Sequence, residues 1–234
     1  RPALRARAIL LCAALQAPGP RFSSSDAADA AERVSGSRAH MSAAVQRIAG
    51  ERLEGPAITM HVVRDDGASL MEEGLKAIRV FEAAPLGSVI VVCLDGDPDY
   101  AVFGTTFATL SKSRRLGGIV TNGAMRGAAD LRRIGVPVFS RGTVAGSAGG
   151  HYRIQSVGEV IECAGARVAP GDVIVGDADG VAVIPRDSAG PAMQIAQRLR
   201  DEKDVLLPLI ARYRSYTRAV QEAARRSRHN RGIP

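Results

Sequence analysis

Apolar positions in this chain follow a helical period in some stretches and a strand period in others. Residues 27–34 have helical spacing behind the capping cluster Ser23-Ser24-Ser25-Asp26, so a helix is expected there. Residues 41–48 fit neither period. Residues 53–63 read as a turn running into a strand, closed by the charged turn 64–67. Leu70, Leu75, Ile78 and Val80 predict a helix over 70–82, stopped by Pro85-Leu86-Gly87. The run SVIVVCL at 88–94 is unbroken and rich in β-branched residues, the pattern of a strand covered on both faces.

After an acidic turn at 95–99, the pattern predicts a helix over 107–116, a strand over 118–121 and a Gly-rich turn over 122–127. A helix over 128–134 and a short strand over 136–139 follow. Residues 141–150 are Gly-rich and expected as a flexible loop. Loose alternation over 154–164 and at Arg167-Val168 predicts an antiparallel hairpin, and 170–185 reads as two strands joined by a Gly/Asp turn. Ser188 opens a long helix with apolar Ile195, Leu199, Val205 and Leu206, which Pro208 is expected to interrupt. The tail from Arg225 is expected to be disordered. This order of elements predicts one α/β domain over 22–187, with a C-terminal helix and basic tail over 188–234. Residues 1–17 have a basic start and a short apolar run ended by Pro18-Gly19-Pro20. That pattern resembles a short signal peptide, but the segment 1–21 is read as a docking helix, too short to span a bilayer.

Composition narrows the function classes. The chain has 234 residues, 24% charged and 46% hydrophobic, as in ordinary soluble domains. Its net charge of +7 belongs to the ends, where arginines cluster, and the middle is mildly acidic. Aromatics make up 4%, with no Trp, so base stacking on single-stranded nucleic acid is poorly supplied. The basic ends therefore read as solvated helix faces, and nucleic-acid binding through the Arg-rich tail is the weakest of the functional readings. The cysteines, Cys12, Cys93 and Cys163, are odd in number and far apart, which suggests neither a disulfide framework nor a zinc motif. Cys93 reads as a small buried hydrophobe, and a reducing cytoplasmic setting fits. His40, His61, His151 and His229 form no ligand-spaced pair; His151, in the Gly-rich loop, is the one best placed for function. No nucleophile elbow, dinucleotide fingerprint or P-loop occurs. The acids Asp95, Asp97 and Asp99 alternate, but the glycine and final acid of a calcium loop are missing.

What remains is Arg126, set in a turn between a buried strand and a helix. Open α/β sheets bind ligands at such strand ends. With the backbone amides that follow Gly104, a guanidinium there suits a small carboxylate. The plainer alternative is a turn whose arginine pairs with a surface acid.

Several motifs recur in a fixed order: G-x-x-x-A from Gly104, G-G-x-V-x-N-G-A-x-R from Gly117 to Arg126, P-V-F-x-R-G from Pro137, and P-G-D-x-I-x-G-D-x-D-G-V-x-V-I-P from Pro170. Together they resemble the RraA-like family, which includes 4-hydroxy-4-methyl-2-oxoglutarate/4-carboxy-4-hydroxy-2-oxoadipate aldolases and regulators of ribonuclease activity. The resemblance implies a layered α/β sandwich of the swivelling β/β/α type, assembled as homotrimers or trimer pairs. It implies a pyruvate-like 2-oxo acid as ligand, and a divalent metal, magnesium or manganese, in the aldolase branch. There a C–C bond breaks through a metal-stabilised enolate, with oxaloacetate decarboxylation as a side activity. By the same resemblance Arg126 grips the substrate, and Gly104, Thr105, Thr106 and Phe107 surround its carboxylate.

The chain departs from that pattern where the metal is held. Thr105 stands at the position of an acid, Asn122 at that of an Asp, and Gly127 at that of the metal-binding Asp. Asp130 matches a further acid, and Asp95 and Asp130 are the candidate substitute ligands. Two functions follow: a pyruvate-releasing lyase with relocated ligands, or a degenerate binding or regulatory protein that acts through protein contact.

Overall fold

A computed structural model describes residues 22–230. The docking helix expected within residues 1–21 lies outside them. The first helix, α1 (Ser24–Ser35), starts at a capping box: the Ser23 hydroxyl accepts from the Asp26 N–H, and Asp26 accepts from the Ser23 N–H. Strands β1 (Gln46–Ala49) and β2 (Leu53–Arg64) follow, then α2 (Leu70–Ala83) and β3 (Val89–Leu94). Next come β4 (Ala101–Phe103), α3 (Thr105–Ser113), β5 (Gly118–Thr121), β6 (Ala124–Met125), α4 (Ala128–Ile134) and β7 (Val138–Ser140). The last part holds β8 (Tyr152–Val157), β9 (Ile161–Cys163), β10 (Ala166–Val168), β11 (Val173–Asp177), β12 (Gly180–Ile184), α5 (Ala189–Tyr213) and α6 (Tyr216–Asn230).

The main sheet has eight strands in the order β1-β7-β5-β3-β2-β11-β12, with β8 also paired to β2. Its centre, β2-β3-β5-β7, is parallel. All six residues of β3 are buried, as its unbroken apolar run requires. One face packs Met60, Val62, Val92 and Leu94 under α2, α3 and α4. Phe81, Phe103 and Phe107 form an aromatic cluster there, with Phe81 and Phe103 edge to face at 5.1 Å. The opposite face packs Val91, Cys93, Val120 and Phe139 against the β9–β10 hairpin. A third cluster joins α1 and α5 to β11 and β12. The result is the layered α/β sandwich with flanking N- and C-terminal helices.

Four expectations change. The hairpin is confined to β9 and β10; Tyr152–Val157 instead pairs antiparallel with β2, because the chain breaks at Gly158, whose φ of 77° suits glycine. Pro208 does not interrupt α5, which runs through it. One lost hydrogen bond is outweighed where Ala192, Ala196 and Leu209 are buried against neighbours. Residues 225–230 are helical, not disordered, and Glu222 pairs with Arg225 and Arg226 one turn on; the last four residues lie outside the described ones. The stretch 141–150 is pinned by bridges of Thr143 to Met125 and Ser147 to Ala101. Among the described residues no helix is long and apolar enough to cross a membrane.

The α1–α5 contact carries a buried ion pair. Asp26 is fully buried and accepts from Lys203 Nζ as well as from Ser23. Burial alone would raise the Asp26 pKa, but Lys203 and the Ser23 donors outweigh it and hold the carboxyl below its ordinary value. This stabilisation is present above the unfolded carboxylate pKa of about 4 and is lost as pH falls through the lower folded value. Lys203→Met should cost about 1–2 kcal/mol at neutral pH, a moderate figure because Lys203 is half exposed. Urea midpoints measured against pH should show the gap to wild type closing in acid.

Candidate functional site

The Arg126 turn owes its shape to a ribbon that local pattern does not announce. Strands β4 and β6 pair in parallel, Ala101 with Ala124 and Phe103 with Met125. The Arg126 N–H bonds to the Phe103 carbonyl at 3.1 Å, so Gly104 and Arg126 leave the ribbon side by side. A Cβ on Gly104 would lie 2.9 Å from Arg126 Cγ, so the arginine side chain lies directly over the glycine. Gly104 is also the N-cap of α3 and offers no capping side chain. The first-turn N–H groups of Thr105, Thr106 and Phe107 have no intrahelical acceptor and carry the helix's positive end.

These elements border a cavity of about 600 Å³. Residues 104–107, Arg126 and Gly127 form one wall; Met60, Val62, Ala77 and Tyr152 are among its apolar lining. Three charged side chains line it, and two are engaged. Glu73 accepts from the Ile154 N–H at 2.7 Å and pairs with Lys76. Burial would raise the Glu73 pKa, but these contacts prevail and lower it, so it stays a carboxylate. Arg153 pairs with Asp65 at 3.3 Å. Arg126 is exposed and makes no ion pair among the described residues, so it is not the acid-paired turn arginine of the plainer reading. The cavity therefore offers a free guanidinium beside a helix N-terminus, an arrangement that can grip a carboxylate with two kinds of donor.

The neighbouring positions are arranged differently. Gly127 has φ 81°, and a Cβ there would meet Thr105 Oγ1 at 2.5 Å. The Thr105 hydroxyl thus fills the space a side chain at 127 would need. It donates to Asp130 Oδ2 at 3.3 Å, while Asp130 Oδ1 pairs with Arg133 at 2.7 Å. Asn122 accepts from the Leu94 N–H at 2.6 Å and donates to the Leu94 carbonyl at 3.0 Å, clamping the ends of β3 and β5 together. Asp95 is not among the residues lining the cavity. His151 is also outside it, bonded to Asp66 at 3.2 Å and packed on Tyr100.

A second group escaped the sequence pattern. His61, Cys93 and Asp95 have ligand atoms all within 4.8 Å of one another. Local spacing hides them because His61 and Cys93 meet through the parallel register of β2 and β3.

Residues 24–183 match the family description "RraA-like: Aldolase/RraA". A protein of Halalkalibacterium halodurans named "Putative 4-hydroxy-4-methyl-2-oxoglutarate aldolase" is 35% identical over 148 residues, 63% of this chain and 67% of that protein. Among solved structures, RraAS2 of Streptomyces coelicolor, titled an unusual member of the RNase ES inhibitor RraA protein family, aligns with TM-score 0.67 and 25% identity. That alignment covers 79% of this chain and 89% of RraAS2. An uncharacterized protein of Pseudomonas syringae aligns with TM-score 0.75 at 22% identity, over 85% of this chain and 92% of its own. The likeness runs through every element that builds the cavity, from β2 to β8, and the chain belongs to the RraA-like family.

Proposed function

We propose that the protein binds a small 2-oxo acid in the Arg126 cavity, its carboxylate held by the guanidinium and by the amides of Thr106 and Phe107. The observation that carries this reading is the unpaired Arg126 beside the uncapped start of α3. The aldolase name of the Halalkalibacterium relative supports a pyruvate-like ligand.

The same residues speak against the magnesium or manganese chemistry of the aldolase branch at its usual position. A hard divalent cation requires anionic oxygen ligands. At the three relevant positions this chain has a threonine hydroxyl, a glycine and an amide already bonded at both ends. Asp130 is the one carboxylate beside them, and Arg133 occupies one of its oxygens. The set does not fit the ion, and the reading is of binding without the family's metal-assisted C–C cleavage. A retained lyase activity is the second reading, favoured by the aldolase relative.

Two measurements separate them. Calorimetric titration with pyruvate and oxalate should show binding to the wild type, weakened at least about tenfold in Arg126→Ala, since a hydrogen bond to a charged group contributes ~1.5–3 kcal/mol. Protein-dependent pyruvate release from oxaloacetate and from a 4-hydroxy-2-oxo acid, above a blank without protein, should not respond to manganese or EDTA. Absence of carboxylate binding would sink the reading, and manganese-dependent release lost in Arg126→Ala would make the protein a lyase.

A further inference from the structure

The face of the sheet turned away from the Arg126 cavity holds three side chains of different chemistry at one point. His61 and Cys93 are register partners on β2 and β3. Their neighbours Met60, Val62, Val92 and Leu94 pack on the cavity side, so strand alternation turns His61 and Cys93 to the other face. Asp95 follows at the carboxyl end of β3, its N–H bonded to the Val62 carbonyl at 2.8 Å. His61 Nε2 is 2.7 Å from Asp95 Oδ2, and Cys93 Sγ is 3.9 Å from Asp95 Oδ1. Ligands on one tetrahedral zinc ion, with bonds of ~2.0–2.3 Å, sit roughly 3–4 Å from each other. We propose that His61 Nε2, Cys93 Sγ and the Asp95 carboxylate form a binding site for a thiophilic divalent cation of the zinc type, with a fourth position open to solvent.

The donor set sorts among metals. Imidazole with thiolate suits zinc, whereas magnesium and manganese prefer oxygen alone. The site is therefore chemically distinct from the one that the aldolase resemblance implies, and it does not depend on the Arg126 reading. Burial grades across it: Cys93 is buried, the His61 side chain is 28% exposed and that of Asp95 60% exposed, so an ion can enter from the Asp95 side.

The surroundings support a bound thiolate. Cys93 donates its S–H to the Glu162 carbonyl at 2.9 Å, and the ion would replace that proton. Asn122 Nδ2 lies 3.9 Å from the same sulfur, and the two hydrogen bonds to the Leu94 backbone fix which end of the amide faces it. An N–H so placed supports a metal-bound thiolate. Cys163 instead donates to the Val92 carbonyl at 3.6 Å and is not one of the three clustered ligand groups, so Cys93 is the ligand. The plainer account is a His61–Asp95 hydrogen bond at the sheet rim, with Cys93 as core. It assigns no role to the sulfur, and this is where the two accounts part.

The test uses the full chain in reducing buffer, titrated with cobalt(II) and then zinc. One ion per chain is expected, with a near-ultraviolet thiolate-to-cobalt charge-transfer band that zinc abolishes. Cys93→Ser should lose the band and Cys163→Ser should keep it. His61→Ala and Asp95→Asn change a part-buried and an exposed residue of the rim, outside the core, so they carry the test if Cys93→Ser fails to fold. Each should weaken binding beyond the ~10–100-fold that loss of an outer partner costs. A missing band overturns the proposal. So does a band that survives in Cys93→Ser, as Cys12 or Cys163 would give, or affinity unchanged in both rim variants.

Discussion

Gly127→Asp alone should destabilise the protein by about 2–5 kcal/mol, and adding Thr105→Glu should recover the steric part of that loss. Two costs fall on the single variant. Gly127 sits at φ 81°, where a non-glycine residue pays ~1–2 kcal/mol. Its new Cβ would also stand 2.5 Å from Thr105 Oγ1, an overpacking worth about 1–3 kcal/mol in a well-filled site. Thr105→Glu removes that hydroxyl, and the Thr105 Cβ is 3.8 Å away, at ordinary contact distance. A carboxylate in the first turn of α3 also suits the helix dipole. The pair should therefore be coupled by roughly 1–3 kcal/mol, read from the urea midpoints of wild type, both single variants and the double variant. Additive effects would mean that Thr105 and Gly127 do not share space. The same four proteins test the chemistry. Manganese binding or manganese-dependent pyruvate release that appears in the double variant alone would show a scaffold lacking only those two carboxylates.

Such coupling is invisible in the sequence, where Thr105 and Gly127 are separate departures from a motif. What the sequence does show is local grammar. The strand Gly118–Thr121 and the helix Ala128–Ile134 lie where pattern places them, because a buried β-branched run, a Gly-rich turn and a helical spacing leave little choice. The same grammar marks Arg126 as a strand-end cation. It is silent on β4 and β6, three and two residues long, whose pairing depends on partners elsewhere in the chain. Parallel register is equally unwritten, so His61 and Cys93 give no spacing signal although they are neighbours in space. At Pro208 the rule of thumb fails for a related reason. Propensity is local, and burial of Leu209 one residue on comes from tertiary packing.

Gly104→Ser should leave thermal stability nearly unchanged and weaken carboxylate binding by about a hundredfold, more than Arg126→Ala does. Serine is a preferred N-cap, and Gly104 has extended backbone, φ −153° and ψ −152°, that any residue adopts. A Ser hydroxyl there can accept from the N2 or N3 amide of α3, contributing a few tenths of a kcal/mol over glycine and offsetting local crowding. For the helix alone, glycine is the poorer choice. The cost of the substitution falls on the ligand. The new Cβ would stand 2.9 Å from Arg126 Cγ and 3.2 Å from the Arg126 carbonyl, so the guanidinium must move off its place. The hydroxyl would also take up an amide meant for the second carboxylate oxygen. Two groups of donors are lost together, each worth about tenfold, whereas Arg126→Ala removes one. The check is a thermal melt beside a pyruvate and oxalate titration of wild type, Gly104→Ser, Arg126→Ala and the double variant. Binding unchanged in Gly104→Ser would mean that the amides and Arg126 do not act on the same ligand. If Gly104→Ser binds weakly, keeps its melting temperature and loses little more on adding Arg126→Ala, the glycine is there to seat the arginine and keep the helix start uncapped for the ligand.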